Sequence, residues 1–98
     1  MVNSDAKKAT YKEDKEKRLE QRNRLKKLKR DLSKVETMID KLKAEAAEYQ
    51  AKIDNSSDEG WTVLAELTEK MDGVNEKVEM KELEWLEIAE ELEGMEDD

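Results

Sequence analysis

Stepping along the chain by alternating threes and fours from Leu25 meets Leu28, Leu32, Val35, Ile39, Leu42, Ala46, Tyr49 and Ile53, apolar or aromatic at every stop. After a polar gap the same stepping resumes at Leu64 and passes Leu67, Met71, Val74, Val78, Lys81, Trp85, Ile88, Leu92 and Met95, interrupted only by Lys81. Apolar residues recurring every ~3.5 positions lay one narrow stripe along a helix, and such a stripe is stable when zipped against another. Composition leaves little else. Charged residues make up 47% of the 98 and the hydrophobic set 36%, with no Phe, whereas a round single-core domain carries ~25% and ~45–50% respectively. With no Pro and three Gly, a β-rich fold full of tight turns is also disfavoured.

Between the two seams lies Asp54-Asn55-Ser56-Ser57-Asp58-Glu59-Gly60. A short polar connection of this kind joins antiparallel neighbours. The predicted fold is therefore all-α: two long helices forming an intramolecular antiparallel coiled-coil hairpin. The expected organisation is a flexible basic segment over 1–10, a hairpin over 11–95 (helix one about 11–53, loop 54–60, helix two about 58–94) and an acidic tail over 95–98. Each arm would run roughly 35–40 residues, or ~50–60 Å at ~1.5 Å per residue. Ser56 with Glu59 has capping-box spacing, and Asp58 is an alternative cap for the second helix. Gly73 inside that helix costs about 1 kcal/mol relative to Ala, and the helix is expected to fray near Gly94.

A fold point at residues 56–57 sets Leu28 against Trp85, Val35 against Val78, Leu42 against Met71 and Lys81 against Leu32. The flanking pairs Arg24/Glu91, Lys29/Glu82 and Glu45/Lys70 are then attractive and Asp31/Glu84 repulsive. Exposed pairs contribute only ~0–1 kcal/mol each, so they select a register more than they stabilise it. A parallel homodimer of the first helix would set Arg24 against Lys29, Asp31 against Glu36 and Lys17 against Arg22, all like-charged; a monomer is expected instead. Met80, Leu83 and Leu86 fall off the seam, either as scattered surface residues or as a docking surface, with Leu86 placed to help cover Leu19 near the open end.

The missing residue types exclude chemistry. Without Cys there is no disulfide, thiolate nucleophile or thiolate metal site. Without His there is no triad base and no His-ligated zinc. No G-x-x-x-x-G-K-[ST] loop cradles a phosphate. Carboxylates abound, but a general acid or base needs a pocket that shifts its pKa, which a two-helix rod does not offer. No catalytic residue, metal site or cofactor is expected; Glu90, Glu91 and Glu93 lack the looped, converging cage of a cation site. No apolar run approaches the ~18 residues of a membrane span, and Met1-Val2-Asn3-Ser4-Asp5 has no signal-peptide core. A cytoplasmic chain with no membrane partner is expected.

The formal charge of −8 hides a split: residues 1–35 hold 13 Lys/Arg against 6 Asp/Glu, and residues 36–98 hold 6 against 21. Lys27, Arg30, Lys34 and Lys41 fall at spacings of three, four and seven on the face away from the seam, with Lys26 beside them. Lys7, Lys8, Lys12, Lys15, Lys17, Arg18 and Arg22 precede them, with Tyr11 in their midst. A basic stripe with a basic lead-in can track a phosphate backbone in a salt-sensitive, largely sequence-independent way. One interleaved aromatic gives little basis for base stacking. The competing reading is a solvated face, or cations pairing with the acidic second arm.

Ala9-Thr10-Tyr11-Lys12-Glu13, leading into a basic leucine-periodic helix, resembles the "L-S-Y-K-E" opening of the C-terminal domain of ABC-F ATPases, particularly the Uup type. Trp61 to Lys70 is similar to that family's post-loop segment, and Glu82-Leu83-Glu84-Trp85-Leu86-Glu87 to its closing "R-W-x-E-L-E" element. The resemblance covers roughly residues 9–92, with Tyr11 and Lys12 matching the opening motif and Trp85 the closing one. Thr10 stands for the usual Ser, and Glu84 where the family often has Arg. The resemblance implies a non-catalytic coiled-coil hairpin that follows two ATP-binding cassettes in the same parent chain. It also implies engagement of DNA or ribosomal RNA. The cassette motifs are absent here, so ATP hydrolysis would belong to the parent chain. A structural spacer or protein-docking hairpin without nucleic-acid binding is the alternative expectation.

Overall fold

The computed structural model describes the backbone from Asn3 to Glu96 and the side chains from Thr10 to Glu96. Two helices, α1 (Asn3–Asn55) and α2 (Trp61–Glu96), pack as an antiparallel coiled-coil hairpin with extents of 89 × 18 × 14 Å. No Gly or Pro occurs before Gly60, so nothing breaks α1. It begins at Asn3, about two turns before the residue-11 start that the seam predicts. The Ala- and Lys-containing stretch ahead of the seam sustains the helix by local propensity. Met1, Val2, Asp97 and Asp98 lie outside the described residues. Met95 and Glu96, assigned to the tail by sequence, belong to α2, which runs through Gly94 without a break.

The reversal is built from backbone groups. The Ser56 N–H donates to the Ile53 carbonyl at 3.2 Å and the Glu59 N–H to the Ser56 carbonyl at 3.0 Å. Gly60 then takes φ 91°, a left-handed conformation that costs glycine little. Its carbonyl accepts the Leu64 N–H at 3.3 Å, which puts Gly60 in the N-cap position. The side-chain caps expected from Ser56 or Asp58 are displaced: α2 starts at Trp61, and both residues belong to the turn. At the other side of the turn Lys52 sits in the last turn of α1, the right sign for the helix macrodipole. Its Nζ lies 5.3 Å from the centre of the Tyr49 ring.

Every seam position named above is buried or half-buried. The best-covered are Leu28, Val35 and Ile39 on α1 and Val74, Val78 and Leu92 on α2. The core is thus one stripe wide on each helix. Lys81 interrupts it without leaving a stranded charge: its Nζ bonds Glu84 Oε2 at 2.9 Å, while its stem lies along the seam.

The register differs from expectation by one heptad. Arg24 meets Glu91 at 2.7 Å, Lys29 meets Glu96 at 3.7 Å and Lys43 meets Glu82 at 3.7 Å. Trp85 Nε1 donates to Glu36 Oε1 at 2.9 Å, and Leu25 shares a depression with Met95. These contacts centre the hairpin on Gly60, so residues equally distant from it lie level: Leu28 with Leu92, Leu32 with Ile88, Val35 with Trp85, Ile39 with Lys81. Leu28 does not face Trp85, and Lys29 does not pair with Glu82. A seven-residue slip keeps apolar residues opposite apolar ones in every layer but that of Lys81, which then meets another apolar residue, so the seam alone cannot reject it. The Arg24/Glu91 pair forms as expected because on that flank Glu91 stays within reach of Arg24 in either register. Glu45 and Lys70 share that flank yet close no ion pair. The opposite flank, with Lys29 and Lys43, discriminates. The actual register also brings Arg24 and Lys29 to the C-terminal end of α2, which has no basic residue in its last turn and otherwise carries the wrong charge for its dipole.

Candidate nucleic-acid interface

With the hairpin centred on Gly60, Glu96 lies level with Arg24. Since α1 has 53 residues and α2 has 36, α1 before Arg24 runs past the end of α2 as a lone helix, roughly 30 Å long at ~1.5 Å per residue. This overhang divides the predicted basic residues into two groups. Lys12, Lys15, Lys17, Arg18 and Arg22 stand on the overhang. Lys26, Lys27, Arg30, Lys34 and Lys41 stand on the paired part of α1, along its outer face. All of these are exposed. The side chains of Lys7 and Lys8 lie outside the described residues.

The cations that pair with α2 are a different set. Arg24, Lys29 and Lys43 flank the seam and reach Glu91, Glu96 and Glu82. Among the described residues, none of the ten basic residues just named forms an ion pair. The heptad causes this division: positions beside the stripe can reach the opposite helix, whereas positions on its back cannot. The acidic arm therefore consumes the flanking cations and leaves the outer stripe unpaired.

The two basic groups differ in quality. Lys26, Lys27, Arg30 and Lys34 follow one another along the back of α1 with Asn23, Ser33 and Thr37 as neighbours, and Asp31 is the one carboxylate at their edge. The overhang mixes signs, with Glu13, Asp14, Glu16 and Glu20 among its cations. Against that, Lys12 lies roughly 18 Å beyond the end of α2 at ~1.5 Å per residue. That exceeds the Debye length of ~8–10 Å at physiological salt, so the acids of α2 hardly weaken its field.

Leu19 is not covered by Leu86. In the true register Leu86 lies level with Lys34, more than three helical turns from Leu19, and Leu19 is 54% exposed. Tyr11 also projects from the overhang, 68% exposed. On the hairpin proper, Leu83 and Leu86 are exposed and border an open groove with Ile39 and Trp85 as its floor. Glu36, Asp40, Glu79 and Glu82 rim it. The sequence marks Leu83 and Leu86 as off-seam residues but misses the groove, because Glu36 and Trp85 come together only in the correct register. Among the described residues, no helix is long and apolar enough to cross a membrane. No family model, curated protein or solved structure matches the chain.

Proposed function

We propose that this chain is a non-catalytic nucleic-acid-binding coiled-coil module, the C-terminal hairpin of a soluble ABC-F type ATPase. It engages the phosphate backbone of DNA or ribosomal RNA. One observation carries the reading: the outer-face cations Lys26, Lys27, Arg30, Lys34 and Lys41 stay unpaired beside a strongly acidic helix. The motif resemblance around Tyr11, Trp61 and Trp85 adds the family, and with it the ATP-binding cassettes of the parent chain as neighbours. A straight helix presenting cations every three to seven residues recognises backbone charge rather than bases.

Titration against duplex DNA, branched DNA and ribosomal RNA at ~50 and ~200 mM salt tests the reading, with affinity expected to fall steeply between them. Lys27→Glu, Arg30→Glu and Lys34→Glu together weaken binding to all sequences alike and flatten the salt slope. Absence of binding at the lower salt rejects the reading. The exposure of Leu83 and Leu86 beside the groove favours a second reading, a protein-docking hairpin; it predicts no nucleic-acid binding at either salt.

A further inference from the structure

Two surfaces left over from the hairpin complement each other. The first is one face of the overhang, where Tyr11, Lys15, Arg18, Leu19 and Arg22 gather with Asp14 as their one carboxylate. The second is the groove, with exposed Leu83 and Leu86 beside Ile39 and Trp85, rimmed by Glu36, Asp40, Glu79 and Glu82 around a single Lys43. One is apolar with a cationic border and the other is apolar with an anionic border. The overhang face spans residues 11–22 and the groove spans residues 36–43 of α1, so each is roughly 10–17 Å long at ~1.5 Å per residue.

Both surfaces lie on the same flank of the rod. Lys15, Arg22, Lys29, Glu36 and Lys43 recur every seven residues, which places them in one row along a coiled coil. That row begins on the overhang face and ends on the groove. The two surfaces are separated by roughly 30 Å along the axis, so a rigid helix cannot fold one onto the other within a single molecule. Two copies laid antiparallel, flank to flank, bring each overhang onto the groove of the other. A single two-fold axis satisfies both contacts at once, as a closed isologous interface requires.

We propose that a second copy of this chain occupies the groove, forming an antiparallel dimer through reciprocal overhang–groove contacts. The occupant is set by charge: a partner must bring an apolar helix face bordered by cations, and the overhang of this chain has that face. The inference shares Lys15, Arg18 and Arg22 with the basic lead-in of the nucleic-acid reading, but Lys27, Arg30 and Lys34, which test that reading, stand on the back of α1, off this flank. The complementary charges make the association salt-sensitive.

Sedimentation equilibrium of the full chain, without nucleic acid, tests the proposal. The native chain is expected to dimerise reversibly and to dissociate as salt is raised. Lys15→Glu with Arg22→Glu gives a monomer, and so does Asp40→Lys with Glu79→Lys, while circular dichroism shows both still helical. Mixing these two variants restores a dimer, since one interface then carries swapped charges and the other native ones. Joining Leu19→Cys on one copy to Leu83→Cys on the other by oxidation gives an independent check, as the chain has no other cysteine. A native chain that stays monomeric up to high micromolar concentration, or a mixture that does not dimerise, overturns the proposal. The Lys27→Glu, Arg30→Glu, Lys34→Glu variant should dimerise normally whatever it does to nucleic-acid binding.

Discussion

The paired part of α1 and its overhang are one uninterrupted helix in two physical situations. From Leu25 to Ile53 the helix buries a stripe, and Leu28 and Val35 are nearly inaccessible there. Before Arg24 the same stepping meets Gln21, Arg18 and Asp14, and every described residue from Thr10 to Arg24 is exposed. Stability in the first part comes from tertiary packing and in the second from local propensity, since lone helices are marginal in water. Helix content is therefore a poor guide to where this molecule is held together. The overhang is free to act as a binding element because it contributes little to the hairpin.

The sharpest break of that contrast is a cavity. Leu28→Ala is expected to cost about 2–4 kcal/mol, as for other buried leucines. Leu19→Ala on the overhang should stay within about 0.5 kcal/mol, both read from urea unfolding by circular dichroism at a protein concentration low enough to keep the chain monomeric. Equal losses would mean that the overhang is packed after all. Next come the glycines, which differ in backbone rather than burial. Gly60→Ala puts a side chain at φ 91° and should destabilise by about 1–2 kcal/mol. Gly73 is helical with nothing within 4 Å of an added Cβ, so Gly73→Ala should stabilise by up to about 1 kcal/mol.

A smaller effect is expected from the flanking ion pairs. The side chains of Arg24 and Glu91 are 48% and 45% exposed, so a double-mutant cycle should give a coupling of only about 0.2–1 kcal/mol. The smallest effect belongs to removal of residues 1–22. Mean helicity per molecule should drop while the unfolding free energy of the hairpin changes by less than about 0.5 kcal/mol. A large loss on truncation would erase the distinction between the two parts. The register itself is open to spin-label distances: Leu28 should lie closer to Leu92 than to Trp85, which is displaced by one heptad or roughly 10 Å.

Much of this architecture is legible in the order of the residues. The alternation of threes and fours names every residue of the seam, because burial along a helix follows a fixed period. The polar break at residues 54–60 implies the hairpin. The same period tells which lysines and arginines must point outward, so the unpaired stripe from Lys26 to Lys41 is legible as well. The Trp85–Glu36 bond, the groove beside Leu83 and Leu86, and the exposure of Leu19 are not. Each depends on which residue of one helix stands beside which residue of the other.

That pairing is the quantity a repeating pattern cannot carry. Sliding α2 by seven residues still sets one apolar stripe against the other and keeps Glu91 within reach of Arg24, so linear order defines which stripes meet but not where. Three-dimensional contact settles it: the chain reverses about the left-handed Gly60, Lys29 and Lys43 reach their own glutamates, and α2 stops level with Arg24. The overhang reaches as far as Asn23, and not only to Glu16, because the reversal is centred there and not at residues 56–57.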